Sequence, residues 1–422
     1  MNEEKIKEAY SRAKEKYAKY DIDTDEAVKK LEDVNISLHC WQGDDVGGFE
    51  EPDAELEGGG IEATGNFPGK ARTIEELRQD LDKVMSLLPG KQKLNLHASY
   101  GDFTGDNDVD RDEITIDNFQ GWIDWAKERN TGIDFNCTCF SHPKAASGFT
   151  LSSKDEEIRQ FWIEHVKRCR KIAAEMGKQT GMTSIHNIWV PDGSKDNPVD
   201  RFGHRKLLKD SLDEIFEEEY SDEYMRDSLE SKLFGIGAEA MTVGNYDFYY
   251  GYAIDNNKLF CLDNGHYHPT EKVDDKIASV LMYLDELMLH LTRGIRWDSD
   301  HVVTFNEEIK GILSEVVRCG ALDNTNIGLD FFDASINRVG AYITGARAAQ
   351  KSLLYALLEP SELLQDYEEN DKLFERLFTF EKMKGMPWGA VWDYYCLKND
   401  VLTDEEVIPE VQNYEENVLA NR

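Results

Sequence analysis

About eight short apolar or β-branched runs, each ending in polar residues and separated by longer amphipathic segments, constrain this chain more than any other feature. The runs are Asn35–Trp41, Lys93–Tyr100, Gly132–Phe140, Thr183–Val190, Ser228–Phe234, Lys258–His266, Ile295–Val302 and Asn326–Phe332. Strands that alternate with helices call for parallel pairing, and eight such units are the number that closes a (β/α)8 TIM barrel. The segment after Arg72 illustrates the helical signal. Thr73 and Glu76 form a capping-box pattern, and Leu77, Leu81, Val84 and Leu88 follow as one apolar stripe.

The rest of the chain frames this barrel. Ile6, Tyr10, Ala13 and Tyr17 recur at helical spacing, and a second short helix is expected over Asp25–Leu31 with Asp23 or Thr24 as its cap. The expected organisation is therefore a helical segment over 1–31, a catalytic barrel over 32–345 and a C-terminal helical extension over 346–422. Helices are predicted at Ala346–Leu358, Ser361–Thr379 and Val407–Leu419, broken at Pro360 and Pro387, as a cover for the barrel or a subunit interface.

Composition narrows the partners. Among 422 residues, 83 Asp and Glu oppose 48 Lys and Arg, a formal charge of −35. Such a field repels phosphate backbones and anionic lipid, so neither nucleic acid nor a membrane is expected, while a sugar or a divalent cation remains compatible. No apolar stretch approaches the ~18 residues of a membrane span, and Met1–Tyr20 lacks a signal peptide's apolar block. Seven scattered cysteines, an odd number without a CxxC spacing, read as reduced thiols of a cytoplasmic protein. No G-x-G-x-x-G opens a helix after the first strand, so no organic dinucleotide cofactor is expected. The glycine-rich Gly58–Gly65 run lacks the ending of a phosphate loop. The longer Gly43–Lys70 loop that contains it reads either as a lid, with Phe67 or Trp41 reaching the ligand or a neighbouring subunit, or as an ordinary surface loop.

Polar residues crowd the C-terminal ends of the candidate strands, where barrel enzymes carry their sites. Asp263 is expected at a strand end with His266 just beyond it. Period-two alternation is expected to put Asp298 and Asp300 on one face, and Glu230 and Lys232 on another. His290 lies upstream, and Asp330 ends the last run. Each residue alone has an ordinary structural explanation: an exposed carboxylate, a turn histidine, half of an ion pair. Their joint position at successive strand ends favours a metal centre instead. Oxygen-rich donors with one or two imidazoles suit Mg2+ or Mn2+, and the number of ligands suggests two ions. Lys232 beside a ligand is costly unless it faces an anionic group such as a developing substrate oxyanion.

Long ordered strings then carry a family resemblance. Ser37–Val46 (SLHCWQGDDV), Ala63–Arg72 (ATGNFPGKAR), Leu94–Ala98 (LNLHA) and Asn187–Gly193 (NIWVPDG) resemble L-rhamnose isomerases. So do Glu230–Glu239 (ESKLFGIGAE), Arg296–Val303 (RWDSDHVV) and Gly328–Arg338 (GLDFFDASINR). The resemblance implies a homotetrameric, xylose-isomerase-like barrel that interconverts L-rhamnose and L-rhamnulose with divalent metal, commonly Mn2+, with Co2+, Mg2+ or Zn2+ left open. By the same resemblance Glu230, Asp263, His290 and Asp330 hold one ion. His266, Asp298 and Asp300 hold the second, catalytic ion, with Asp263 shared. Lys232 is the active-site lysine, and His97 and Trp189 contact the sugar. A hydride shift between C2 and C1 follows this resemblance more closely than an enediol route, and other aldoses are possible substrates. The rival reading is a two-metal barrel hydrolase, suggested by the superficial His266-x-His268 pair.

Overall fold

The structure, a computed structural model, describes residues 3–50, 65–235 and 237–422. Eight parallel strands close into a barrel in sequential order: β1 (Asn35–His39), β2 (Lys91–His97), β3 (Ile133–Asn136), β4 (Ser184–Trp189), β5 (Met225–Glu230), β6 (Leu259–Asp263), β7 (Leu287–Leu291) and β8 (Thr325–Leu329), with β8 returning to β1. Helices α1 (Glu3–Tyr17) and α2 (Thr24–Asp33) precede the barrel. The crossover helices follow in turn as α3 (Ile74–Met85), α4 (Gln120–Glu128), α5 (Glu156–Thr180), α6 (Arg201–Ile215), α7 (Tyr246–Asn256), α8 (Val273–Leu281), α9 (Glu307–Arg318) and α10 (Arg338–Leu357). None of the described helices is long and apolar enough to cross a membrane.

The local chemistry explains these elements. In α1, Ile6, Tyr10, Ala13 and Tyr17 are the buried residues, and the carboxylate of Asp23 caps α2 by accepting from the backbone N–H groups of Asp25 and Glu26. At the start of α3, Thr73 Oγ1 accepts from the Glu76 N–H at 3.2 Å, whereas the Glu76 carboxylate turns to Arg72 rather than closing the box on Thr73. Between barrel and helices, Arg170 on α5 donates to both carboxylate oxygens of Asp227 on β5. It also reaches the carbonyls of Ile215 and Glu218, tying the helix layer to the wall.

Several expectations require correction. The seventh strand is Leu287–Leu291, not Ile295–Val302. All five of its residues are buried, as are those of β3 and β6, so its apolar run carries the same signal as theirs, and only the alternating charged residues of 295–302 drew the expectation away from it. Residues 292–302 instead leave the barrel and fold back, with Arg293 and His301 exchanging backbone hydrogen bonds of 3.0 and 3.2 Å. Asp298 and Asp300 therefore share no strand face, and Asp300 adopts the left-handed conformation (φ 43°). The fifth strand ends at Glu230, so Lys232 lies just past it, and the third ends at Asn136, leaving 137–140 as irregular chain.

Beyond the barrel, α10 crosses the expected boundary at 345/346. The single helix expected over Ser361–Thr379 is two, α11 (Ser361–Glu369) and α12 (Leu373–Lys384), separated where Asp371 takes a positive φ. An unanticipated helix, α13 (Trp388–Lys398), precedes α14 (Asp404–Asn417). The lid expectation falls on residues of which 51–64 lie outside the described ones. Both flanks are anchored by buried Arg338, which bonds both carboxylate oxygens of Asp45 at 2.7 Å and the carbonyl of Phe67.

Candidate metal centre at the barrel mouth

Parallel pairing brings the strand ends to one level, and the chemistry-bearing side chains gather there. His97 ends β2, Trp189 ends β4, Glu230 ends β5 and Asp263 ends β6. His290 is the penultimate residue of β7, in register with Asp263 on one side and Gly328 on the other, and Asp330 follows β8 directly. Gly328 matters for its size. A Cβ there would lie 3.1 Å from the His290 ring, which occupies that space.

Glu230, Asp263, His290 and Asp330 each offer one donor atom, and the four atoms lie within 4.8 Å of one another. His290 Nδ1 is 3.2 Å from Glu230 and 3.3 Å from Asp330. Asp263 Oδ2 and both His290 nitrogens have no hydrogen-bond partner among the described residues. Three carboxylates and an imidazole, buried or nearly so and short of partners, fit a hard divalent cation with oxygen and nitrogen ligands. Burial raises the Asp263 carboxyl far above its ordinary range. His266 opposes that shift, while Asp330, Glu230 and Asp298 reinforce it. A bound cation removes the like-charge repulsion that otherwise keeps a proton in the cluster.

His266 joins this group to a second set of donors. Its Nδ1 lies 3.1 Å from Glu230 Oε1 and its Nε2 lies 3.2 Å from Asp298 Oδ2. Asp300 is held above the usual carboxylate range by burial first and then by Asp298, Asp330 and Asp263. His266, Asp298 and Asp300 stand beside the compact four-donor group rather than within it. Gly265 makes the approach possible, because a Cβ at that position would fall 2.7 Å from Asp298 Oδ1 and 3.1 Å from Asp263 Oδ1.

Lys232 is buried at the same mouth. Its ammonium donates to Asp298 Oδ2 at 3.1 Å and lies 4.8 Å from the Trp189 ring centre. Burial alone would lower its pKa, but Asp298, Asp300 and Asp263 outweigh burial and keep it charged. Opposite stands an aromatic wall. Trp41 packs edge-on to His97, His97 to Phe140, and Phe140 to Trp189, with ring centres 4.7, 5.5 and 5.3 Å apart. Burial holds His97 at about 4, so its ring is neutral near pH 7, and its Nδ1 lies 2.9 Å from Thr138 Oγ1. Trp41, His97, Trp189, Glu230, Lys232, His266, His290, Asp300 and Asp330 line one cleft.

Sequence reasoning missed Asn187 and Phe140. Asn187 donates to the Glu230 carboxylate and orients it. Its signal was available, since it stands two residues before Trp189 and therefore on the same face of β4. Phe140 follows an irregular segment, for which no periodicity argument exists. His268 is exposed and bonds Thr270, so it forms no metal-binding pair with His266, and the two-metal hydrolase reading finds no support.

A closed (β/α)8 barrel with a carboxylate–imidazole cluster, a buried lysine and an aromatic wall at its C-terminal mouth has the architecture of a barrel enzyme for a small molecule. The family description L-rhamnose isomerase (RhaA) matches residues 4–422. An L-rhamnose isomerase of Bacteroides thetaiotaomicron is 54% identical over 420 residues, covering 100% of this chain and 99% of that protein. That of Rhodopirellula baltica is 53% identical over 417 residues, 99% of this chain and 97% of the relative. That of Listeria monocytogenes serotype 4a is 52% identical over 420 residues, 100% and 99%. The chain belongs to the L-rhamnose isomerase family, intramolecular oxidoreductases that interconvert aldoses and ketoses. Among solved structures, an L-ribulose 3-epimerase aligns over 76% of this chain and 95% of its own at 10% identity and a TM-score of 0.48, too remote to add to this assignment.

One support outside the donor set can be tested. The Trp41 Nε1–H donates to Asp330 Oδ1 at 3.1 Å. Groups that orient a ligand in this way typically contribute about 10–100-fold to metal affinity. Trp41→Phe keeps an aromatic ring but removes the donor, and chelator competition is expected to show metal binding weakened by about that factor. Unchanged affinity would remove Trp41 from the centre.

Proposed function

We propose that this chain interconverts L-rhamnose and L-rhamnulose with two divalent cations, Mn2+ foremost. Glu230, Asp263, His290 and Asp330 hold one ion; His266, Asp298 and Asp300 hold the other, with Asp263 shared. The observation that carries this reading is the compact, partner-poor group of Glu230, Asp263, His290 and Asp330 next to a charged lysine, in a chain of this family. When bound, the cations supply Lewis-acid polarisation of the sugar carbonyl and chelation of a neighbouring hydroxyl.

The chain's own groups account for the rest. Lys232 places its ammonium against the negative charge that develops on the carbonyl oxygen. Its pairing with Asp298 keeps it charged and aimed. Neutral His97 hydrogen-bonds a sugar hydroxyl and carries no charge that would compete for the metal ligands. Trp189, Phe140 and Trp41 exclude water from the C1–C2 edge, where the hydrogen on C2 passes to C1 as a hydride while a proton moves between O2 and O1. A dry aromatic wall, which keeps solvent from exchanging with the hydrogen on C2, suits that route better than an enediol. Other aldoses with the same O1–O3 arrangement, such as L-mannose, L-lyxose and D-allose, are secondary substrates.

The assembly is a cytoplasmic homotetramer, with the 346–422 helices as barrel cover and subunit contact. Leu373, Phe374, Leu377 and Phe378 expose an apolar face on α12 that such a contact would cover.

In Lys232→Met the cation content is expected to be unchanged, whereas kcat falls by about 10²–10³. Near-normal turnover would refute the role given to this lysine. With C2-deuterated L-rhamnose in ordinary water, the label is expected to remain in the rhamnulose formed by the unaltered enzyme. Washout into solvent would assign an enediol route instead.

A further inference from the structure

Beneath the mouth, a second set of reactive groups lies in the irregular segment that follows β3. Thr138 adopts the left-handed conformation (φ 49°) and turns the chain so that the Cys137 and Cys139 sulfurs stand 3.5 Å apart. Both thiols are buried, and Cys139 lies at the wall of a cleft of about 420 Å3 between residues 139–150 and 191–195. Near Cys137 stands a buried imidazole–carboxylate pair. His186 Nδ1 lies 3.1 Å from Asp227 Oδ1, and Asp227 is bonded in turn by Arg170. The Cys139 thiol hydrogen bond pulls the Cys137 pKa below its ordinary value, with burial opposing and the His186 imidazole adding to the pull. Cys139 itself is pushed well up, first by that same bond and then by burial.

Thr138, the residue between the two sulfurs, is also the residue that contacts His97. Its Oγ1 lies 2.9 Å from His97 Nδ1, and its carbonyl accepts from Arg111 at 2.6 Å, as does that of Phe140. Disulfide formation requires the sulfurs to close to ~2.05 Å, a movement of roughly 1.5 Å from the present separation. The intervening backbone must absorb part of it, and the hydroxyl that holds His97 sits on that backbone.

We propose that Cys137 and Cys139 form a modification site for small hydroperoxides, whose oxidation to a Cys137–Cys139 disulfide displaces Thr138 and releases His97 in the sugar cleft. The Cys137 sulfur attacks the peroxide and breaks the O–O bond, giving Cys137 sulfenic acid and an alcohol or water that takes up the proton the Cys137 thiol gives up. The Cys139 sulfur then displaces the hydroxyl, which leaves as water with the Cys139 proton. The two thiols lose two electrons, and the peroxide gains them. The effect on turnover rests on the assignment of His97 to the sugar; formation of the disulfide does not.

The test uses the metal-loaded, reduced full chain carrying Cys319→Ser, which removes the exposed thiol. Hydrogen peroxide is expected to consume two thiols, with the loss of two hydrogen masses mapped to the peptide containing Cys137 and Cys139. KM for L-rhamnose is expected to rise at least fivefold, with recovery on adding dithiothreitol. In the same background Cys139→Ser should stop at a sulfenic acid on Cys137, trapped by a 1,3-dione. The mapping on Cys319→Ser stands whether or not that second variant folds. Intact Cys137 and Cys139 after peroxide, or a disulfide located elsewhere, would overturn the site. A mapped Cys137–Cys139 disulfide with unchanged KM would overturn its link to His97.

Discussion

Carboxylates crowded out of water at the barrel mouth are the constraint on which the rest depends. Glu230, Asp263 and Asp330 converge on one point, with Asp298 and Asp300 close behind, and nearly all of this charge is buried. Like charges in such a place raise one another's pKa unless a cation lies among them. His266, His290 and Lys232 neutralise part of that charge, yet Asp263 and Asp300 remain pushed toward protonation. Asp263 Oδ2, His266 Nδ1, both His290 nitrogens and Asp298 Oδ1 have no hydrogen-bond partner among the described residues. A protein that holds these groups together without a counter-ion stores repulsion at its functional face; with divalent cations the same groups become ligands.

The barrel makes this convergence cheap in backbone terms. Parallel register sets Trp189 opposite Glu230 and Asp263 opposite His290, so groups far apart in the chain meet without any single loop having to carry them. Loops then add what strands cannot. The excursion between β7 and α9 lowers Asp298 and Asp300 over the mouth, and the segment after β3 supplies Phe140. Glycines 265 and 328 give up their side chains so that Asp298 and His290 can approach. Small residues here serve close packing of polar groups rather than flexibility.

Much of the architecture was legible because periodicity reports burial. The α3 stripe and the α1 face obey it, while most strands, buried along nearly their whole length, were legible as apolar runs bounded by polar residues. The run Leu287–Leu291 is of the same kind, yet it was passed over. The reading then slid to Ile295–Val302, whose charged residues happen to alternate. The residues that meet at the mouth were legible by residue type and by family resemblance, although for Asp298, Asp300 and Lys232 the geometric reason offered was wrong. These three sit beyond the strand ends, in chain whose path depends on tertiary contacts such as the Arg293–His301 pairing and the Phe332 N–H bonded to the Asp300 carbonyl. Asn187 and Thr138 were harder to find, because a residue that orients another is recognisable only once its partner's position is known.

Anomalous diffraction from crystals of the protein loaded with Mn2+ tests the central claim most directly. The account predicts a strong manganese peak enclosed by Glu230, Asp263, His290 and Asp330, with a second peak beside His266, Asp298 and Asp300. Loaded crystals with no peak among the first four side chains, or with manganese only at distant surface carboxylates, would contradict it.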